Sequence, residues 1–125
     1  MSKQKLEKVE KNLDTLEQKV SSICEPFESN NISVHGSMCG GSVLFYVTNK
    51  LTGKCVRVLT IGTEEGMRYM NDNLSPLTLE TQILIEEEIL NAFKVFLSMK
   101  KELMSICKMR EEYIIEENKI IKGIK

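Results

Sequence analysis

The 125-residue chain has no tryptophan, one histidine and two prolines, and its aromatic content is only 6%. Its core must therefore be built from Leu, Ile, Val and Met. Apolar residues never run long: Val43 to Val47 is a stretch of five, far short of the ~20 that a membrane-spanning helix requires. Glycine and proline are too scarce for a collagen-like or low-complexity chain. Charged residues run throughout Met1 to Leu16, which argues against a secretory signal. The expectation is a reduced cytoplasmic protein without membrane contact, with Cys24, Cys39, Cys55 and Cys107 as thiols.

What the chain does contain is 42% apolar and 28% charged residues, an ordinary globular balance. At this length it makes one domain. Leu6, Val9, Leu13, Leu16, Val20, Ile23 and Phe27 are spaced alternately three and four apart, a heptad stripe with a single seam. That predicts a helix over residues 1–28, stopping near Glu25-Pro26 because a residue before proline is pushed out of the helical region.

Residues 29–62 hold no acid and five of the seven glycines. Alternating apolar positions predict strands around Ile32 to Met38, Val43 to Asn49 and Lys54 to Ile61, joined at Gly40-Gly41 and Gly53 into a three-stranded antiparallel meander. Residues 63–76 form a connector, with a short helical turn expected around Glu65 to Met70. Ser75-Pro76 then opens a helix, with Ser as cap and Pro at the first helical position. Residues 77–125 read as one long helix, apolar on several faces between Ile83 and Met109 and reaching roughly 65 Å. The fold class is α+β: helix, meander, long helix. A second copy is the simplest cover for the remaining apolar faces, so a homodimer is expected, with Leu13, Leu16, Val20, Phe93, Phe96 and Leu103 in its interface.

Candidate chemistry is sparse. His35 and Cys39 lie four apart, about 13 Å along a strand, with no third group to orient them as a nucleophile pair. Zinc would need Cys24, His35, Cys39 and Cys55 to converge without a C-x-x-C knuckle. The clusters Glu86-Glu87-Glu88 and Glu111-Glu112 lack the Glu-x-x-His spacing of di-metal bundles and read as solvated faces. No catalytic residue, metal or cofactor is expected. The sheet segment carries three bases, Lys50, Lys54 and Arg57, which either discourage edge pairing or meet an anion.

Three stretches resemble the YbaB/EbfC nucleoid-associated proteins: Val34-His35-Gly36 leading through Gly40-Gly41 to Val43, Phe45 and Val47; Cys55-Val56-Arg57-Val58; and Glu87-Glu88-Ile89-Leu90-Asn91-Ala92-Phe93. The resemblance implies a homodimer joined through sheet and central helices, with helical arms gripping duplex DNA in the nucleoid. Here the connector is longer than in that family and the Gly/Pro/Met-rich tail is absent. Contacts to DNA phosphates would then come from Lys3, Lys5, Lys8 and Lys11 on the first helix and Lys108, Arg110, Lys119, Lys122 and Lys125 on the last. Two other readings stand beside it. One is a protein-interaction module, such as an inhibitor or adaptor of a mobile element. The other is a binder of small anions at a dimer cleft through Lys50, Lys54, Arg57 and Tyr46.

Overall fold

A computed structural model describes residues 2–39, 41–62, 66–70 and 72–124. Helix α1 spans Ser2–Cys24 and passes into a single 3-10 turn at Glu25–Phe27, where Pro26 stops it. Strands β1 (Ile32–Cys39), β2 (Ser42–Asn49), β3 (Lys54–Gly62) and β4 (Gly66–Tyr69) form one antiparallel sheet in sequential order. Two helices close the chain, α2 (Leu79–Ser98) and α3 (Lys100–Ile124).

The α+β class and the three expected strands are present, with three corrections. The sheet has a fourth strand where a helical turn was expected: Gly66 to Tyr69 pairs residue by residue with Thr60 to Arg57. The single long helix is two helices. At Met99 the backbone leaves helical geometry (φ −93°, ψ 7°), and the Ser98 hydroxyl donates back to the Val95 carbonyl at 2.6 Å, a competition that bends helices. Finally, α2 begins three residues later than Ser75-Pro76 predicts. Those two residues lie in a turn closed by Leu77 N–H donating to the Leu74 carbonyl, and Thr78 caps the helix by accepting from the Thr81 N–H.

Strand register sorts the side chains onto two faces, because directly paired residues point the same way. Val34 pairs with Val47, Gly36 with Phe45, and Phe45 with Leu59, while Val43 pairs with Ile61. This inner face meets all three helices in one core that includes Leu16, Val20, Ile85, Ile89, Phe93, Phe96, Leu103 and Cys107. The outer face carries His35, Tyr46, Val58 and Arg68 in one cross-strand row; of these only Val58 is buried, and it lies apart from the inner-face cluster.

Phe96 is the keystone. Its ring stacks on Phe45 at 4.0 Å and meets the edge of Phe27 at 5.2 Å, so one side chain joins α2, the sheet and the end of α1. Gly36 lets α1 settle on β1, since a Cβ there would fall 2.7 Å from Val20 Cγ1 and 3.1 Å from Cys24 Sγ. Gly53 supplies the positive φ of 74° in the β2–β3 turn, a conformation that costs glycine nothing.

The expected interface residues take a different place. Leu16, Val20, Phe93, Phe96 and Leu103 are buried within one chain and Leu13 is half-buried. Helix α1 folds back along α3 and covers the seam that a second copy was expected to cover.

A candidate interaction face on α2 and β4

Helix α2 carries two apolar stripes. Ile85, Ile89, Ala92, Phe93 and Phe96 are buried against the sheet. A second stripe of Leu79, Ile83, Leu90 and Leu97 stays exposed. At 100° per residue it lies about a third of a turn round the helix from the buried one. Met67, Tyr69 and Met70, on and just after the edge strand β4, are exposed as well.

Two hollows run along this stripe. One, of about 520 Å³, is lined by Leu79, Ile83, Leu90, Leu74, Arg57 and Glu86 among others. The next, of about 280 Å³, is lined by Leu97 with Leu59, Met67 and Lys100 among others. Together they make an apolar trough between α2 and the β3–β4 edge. Exposed apolar patches of this continuity mark contact surfaces more often than scattered single residues do.

Three adjacent glutamates of α2 do different work. Glu86 pairs with the guanidinium of Arg57, which also lies 4.5 Å over the Tyr69 ring. Glu88 accepts from the Ser29 hydroxyl at 2.9 Å and the Asn31 amide at 3.4 Å. Glu86 thus ties α2 to β3, and Glu88 ties it to the segment that leads into β1. Glu87, between them, points to solvent as an exposed residue. The cluster is therefore not one solvated face, as its composition had implied.

On the α1 side, Glu28 forms a clasp. It accepts from the Ser33 hydroxyl at 2.7 Å and the Val34 N–H at 2.8 Å, and pairs with Lys50 at 2.9 Å. The Ser33 hydroxyl, then Lys50, hold its carboxyl below the usual carboxylate range. Asn49 is fully buried, donating to Asp72 at 3.1 Å and accepting from the Leu51 N–H at 2.9 Å. Thr52 donates to the same Asp72 oxygen at 3.1 Å, tying the β2–β3 turn to the segment before α2.

The four residues expected to gather an anion are dispersed. Lys50 is engaged by Glu28. Arg57 lies on the inner face, opposite Val47, whereas Tyr46 lies on the outer face opposite Val58. Lys54 sits exposed at the start of β3. The residues that a zinc ion would have needed to converge are divided as well. Cys24 is buried on the inner side, beneath Gly36, while His35 projects from the outer face; the Cys39 side chain falls outside the described residues. Burial, then the Glu28 charge, push the Cys24 thiol up to about 11. Burial chiefly, with Glu111, raises the Cys107 thiol. Both stay protonated near neutral pH and are poor nucleophiles.

The bases expected on DNA lie on two packed helices. Ile23 and Thr15 of α1 line one groove of about 970 Å³ with Met99 and Met109 of α3. Lys3, Lys5, Lys8 and Lys11 therefore share an arm with Lys108, Arg110, Lys119 and Lys122; Lys125 is outside the described residues. Glu7, Glu10, Glu111, Glu112, Glu116 and Glu117 are interleaved with them. Among the described residues, no helix is long and apolar enough to cross a membrane. Comparison with protein families, with curated proteins and with solved structures finds no match for this chain.

The α2 stripe was open to sequence reading. Ile83, Leu90 and Leu97 are spaced by seven, but in a stretch apolar on several sides that spacing does not say which face the chain itself covers. The β4 half of the trough carried no such signal.

Proposed function

We propose that this protein is an interaction module whose working surface is the trough between α2 and β4, rather than an enzyme. The observation that carries the reading is the second apolar stripe of α2, left uncovered beside a first stripe that is buried against the sheet, and lined by two hollows against β3 and β4. Around it, Glu86–Arg57 ties the helix to β3 and Glu88–Ser29 ties it to the segment leading into β1, so the stripe is presented on an anchored element. The test is a photo-crosslinking residue placed at Leu90 in cells, with a second at the exposed Ser21 of α1 as control. Covalent adducts at position 90 and none at position 21 are expected. Position 90 giving no adduct would overturn the reading.

A second reading is favoured by the packing of α1 along α3, which collects eight bases on one arm. In this reading the arm holds duplex DNA through its phosphates, as the YbaB/EbfC resemblance implies. Interleaved acids make such binding weak and salt-sensitive. Fluorescence anisotropy with a random-sequence duplex should show affinity that collapses as salt rises, and that falls on changing Lys119 and Lys122 together to Ala. No binding at low salt would remove this reading and leave the α2 trough untouched.

A further inference from the structure

The charges beside the exposed stripe reverse sign along the helix. Glu80, Glu87 and Lys94 are seven residues apart, as are Ile83, Leu90 and Leu97, so they form a column flanking the stripe. The acids lie towards the N-terminus and the base towards the C-terminus. Neither Glu87 nor Lys94 has an ion-pair or hydrogen-bond partner among the described residues, although Glu86 and Glu88 on either side of Glu87 are engaged. Seven residues separate them by about 10 Å along the axis, too far to pair with each other.

We infer that the occupant of the trough is a second copy of this chain, its α2 lying antiparallel to the first with the two-fold axis at Leu90. This rests on the reading of α2 as the working surface and names its partner. In that arrangement Leu90 meets Leu90 of the partner subunit, and Ile83 meets the partner's Leu97. A two-fold perpendicular to the helices keeps the flanking columns on one side, so Glu87 comes opposite the partner's Lys94, and Lys94 opposite the partner's Glu87. One surface thus supplies both halves of its own charge complement, as an isologous interface requires. A parallel pair, related by a two-fold along the helices, would instead place the two columns on opposite sides of the seam, where neither Glu87 nor Lys94 gains a partner from the facing column. The 20 residues of α2 give about 30 Å of helix, and the exposed Met67 and Tyr69 of β4 extend the same apolar surface.

Sedimentation equilibrium on the full chain tests this, with circular dichroism to confirm that each variant folds. The wild type is expected to dimerise, and Leu90→Glu, which sets like charges across the axis, to be monomeric with an unchanged spectrum. Glu87→Lys alone and Lys94→Glu alone should each weaken dimerisation by roughly 3- to 10-fold, since two exposed pairs are lost. The double variant Glu87→Lys with Lys94→Glu should return to within about 2-fold of wild type, because the pairs are remade with signs exchanged. A wild type that stays monomeric, while position 90 still crosslinks to a different protein, overturns self-pairing and leaves the interaction reading standing. A dimer indifferent to Leu90→Glu, with no adduct at position 90, overturns both. Single reversals without effect, or a double variant that fails to recover, overturn the antiparallel arrangement.

Discussion

Helices α1 and α2 begin from similar material and end differently. Each repeats apolar residues at heptad spacing, yet the seam of α1 is consumed inside the chain. Val9, Leu16, Val20 and Cys24 are buried, and Phe27 just beyond packs on Phe96. Helix α2 buries one stripe as completely and leaves another about half exposed, with Ile83 at 49%, Leu90 at 50% and Leu97 at 46%. A helix with one seam needs one neighbour. A helix with two seams, only one of them met by its own chain, is short of a neighbour, and the difference between α1 and α2 locates where this fold is open.

The largest expected effect separates the two stripes of α2 directly. Phe96→Ala removes a ring that is wholly buried against Phe45 and Phe27 and should cost about 3–5 kcal/mol of folding stability. Leu90→Ala, measured at a concentration low enough to keep the chain monomeric, should cost less than about 0.5 kcal/mol. Urea denaturation of both variants decides it. A large loss at Leu90 would mean that the second stripe belongs to the core and that the contrast is false.

A smaller effect probes the closed side. Gly36→Ala places a methyl group against Val20 and Cys24, and overpacking of this kind costs about 1–3 kcal/mol. Combining it with Val20→Ala, which deletes the nearest atom, should cost less than the two changes summed. Strict additivity would show that α1 does not bear on β1 at that point.

These contacts also show what was legible in the sequence. The seam of α1 and the alternation in β1 to β3 were readable because one neighbour satisfies each period, and the Pro26 stop has a local steric cause. Strand β4 was not readable, since the alternation of Met67, Arg68 and Tyr69 is too short to mark a strand by itself and the strand exists through its pairing with β3. The break at Met99 was hidden too, because neither glycine nor proline marks it. Phe93, Phe96 and Leu103 were expected in a dimer interface and are instead buried within one chain. Whether such a residue faces its own sheet or another molecule depends on the long-range packing of α1 against α3, which no local period encodes. The charge column beside Leu90 was visible, but it gained meaning only once Glu86 and Glu88 were found engaged and Glu87 was not.

The smallest effect concerns the clasp that holds the end of α1 to β1. Glu28 has its carboxyl held below the ordinary range by the Ser33 hydroxyl, Lys50 and the Val34 N–H, whereas in the unfolded chain it titrates at about 4.3. A depressed folded value means that its contribution is fully present above the unfolded value and is lost as pH falls through the folded one. The wild type should therefore lose more stability than Glu28→Gln as pH falls from neutrality to about 3, with the two curves meeting at the acid end. Because the carboxylate is about two-fifths exposed (41%), solvent screening should keep the difference at neutral pH under about 1 kcal/mol. Urea denaturation across that pH range measures it, and parallel curves would show that Glu28 contributes no pH-dependent stability. The residues proposed to bring two copies together, Leu90, Glu87 and Lys94, lie away from this clasp on α2. Glu28→Gln should then leave dimerisation at neutral pH unchanged while it softens the α1 side, which separates the closed half of the molecule from the open one in a single variant.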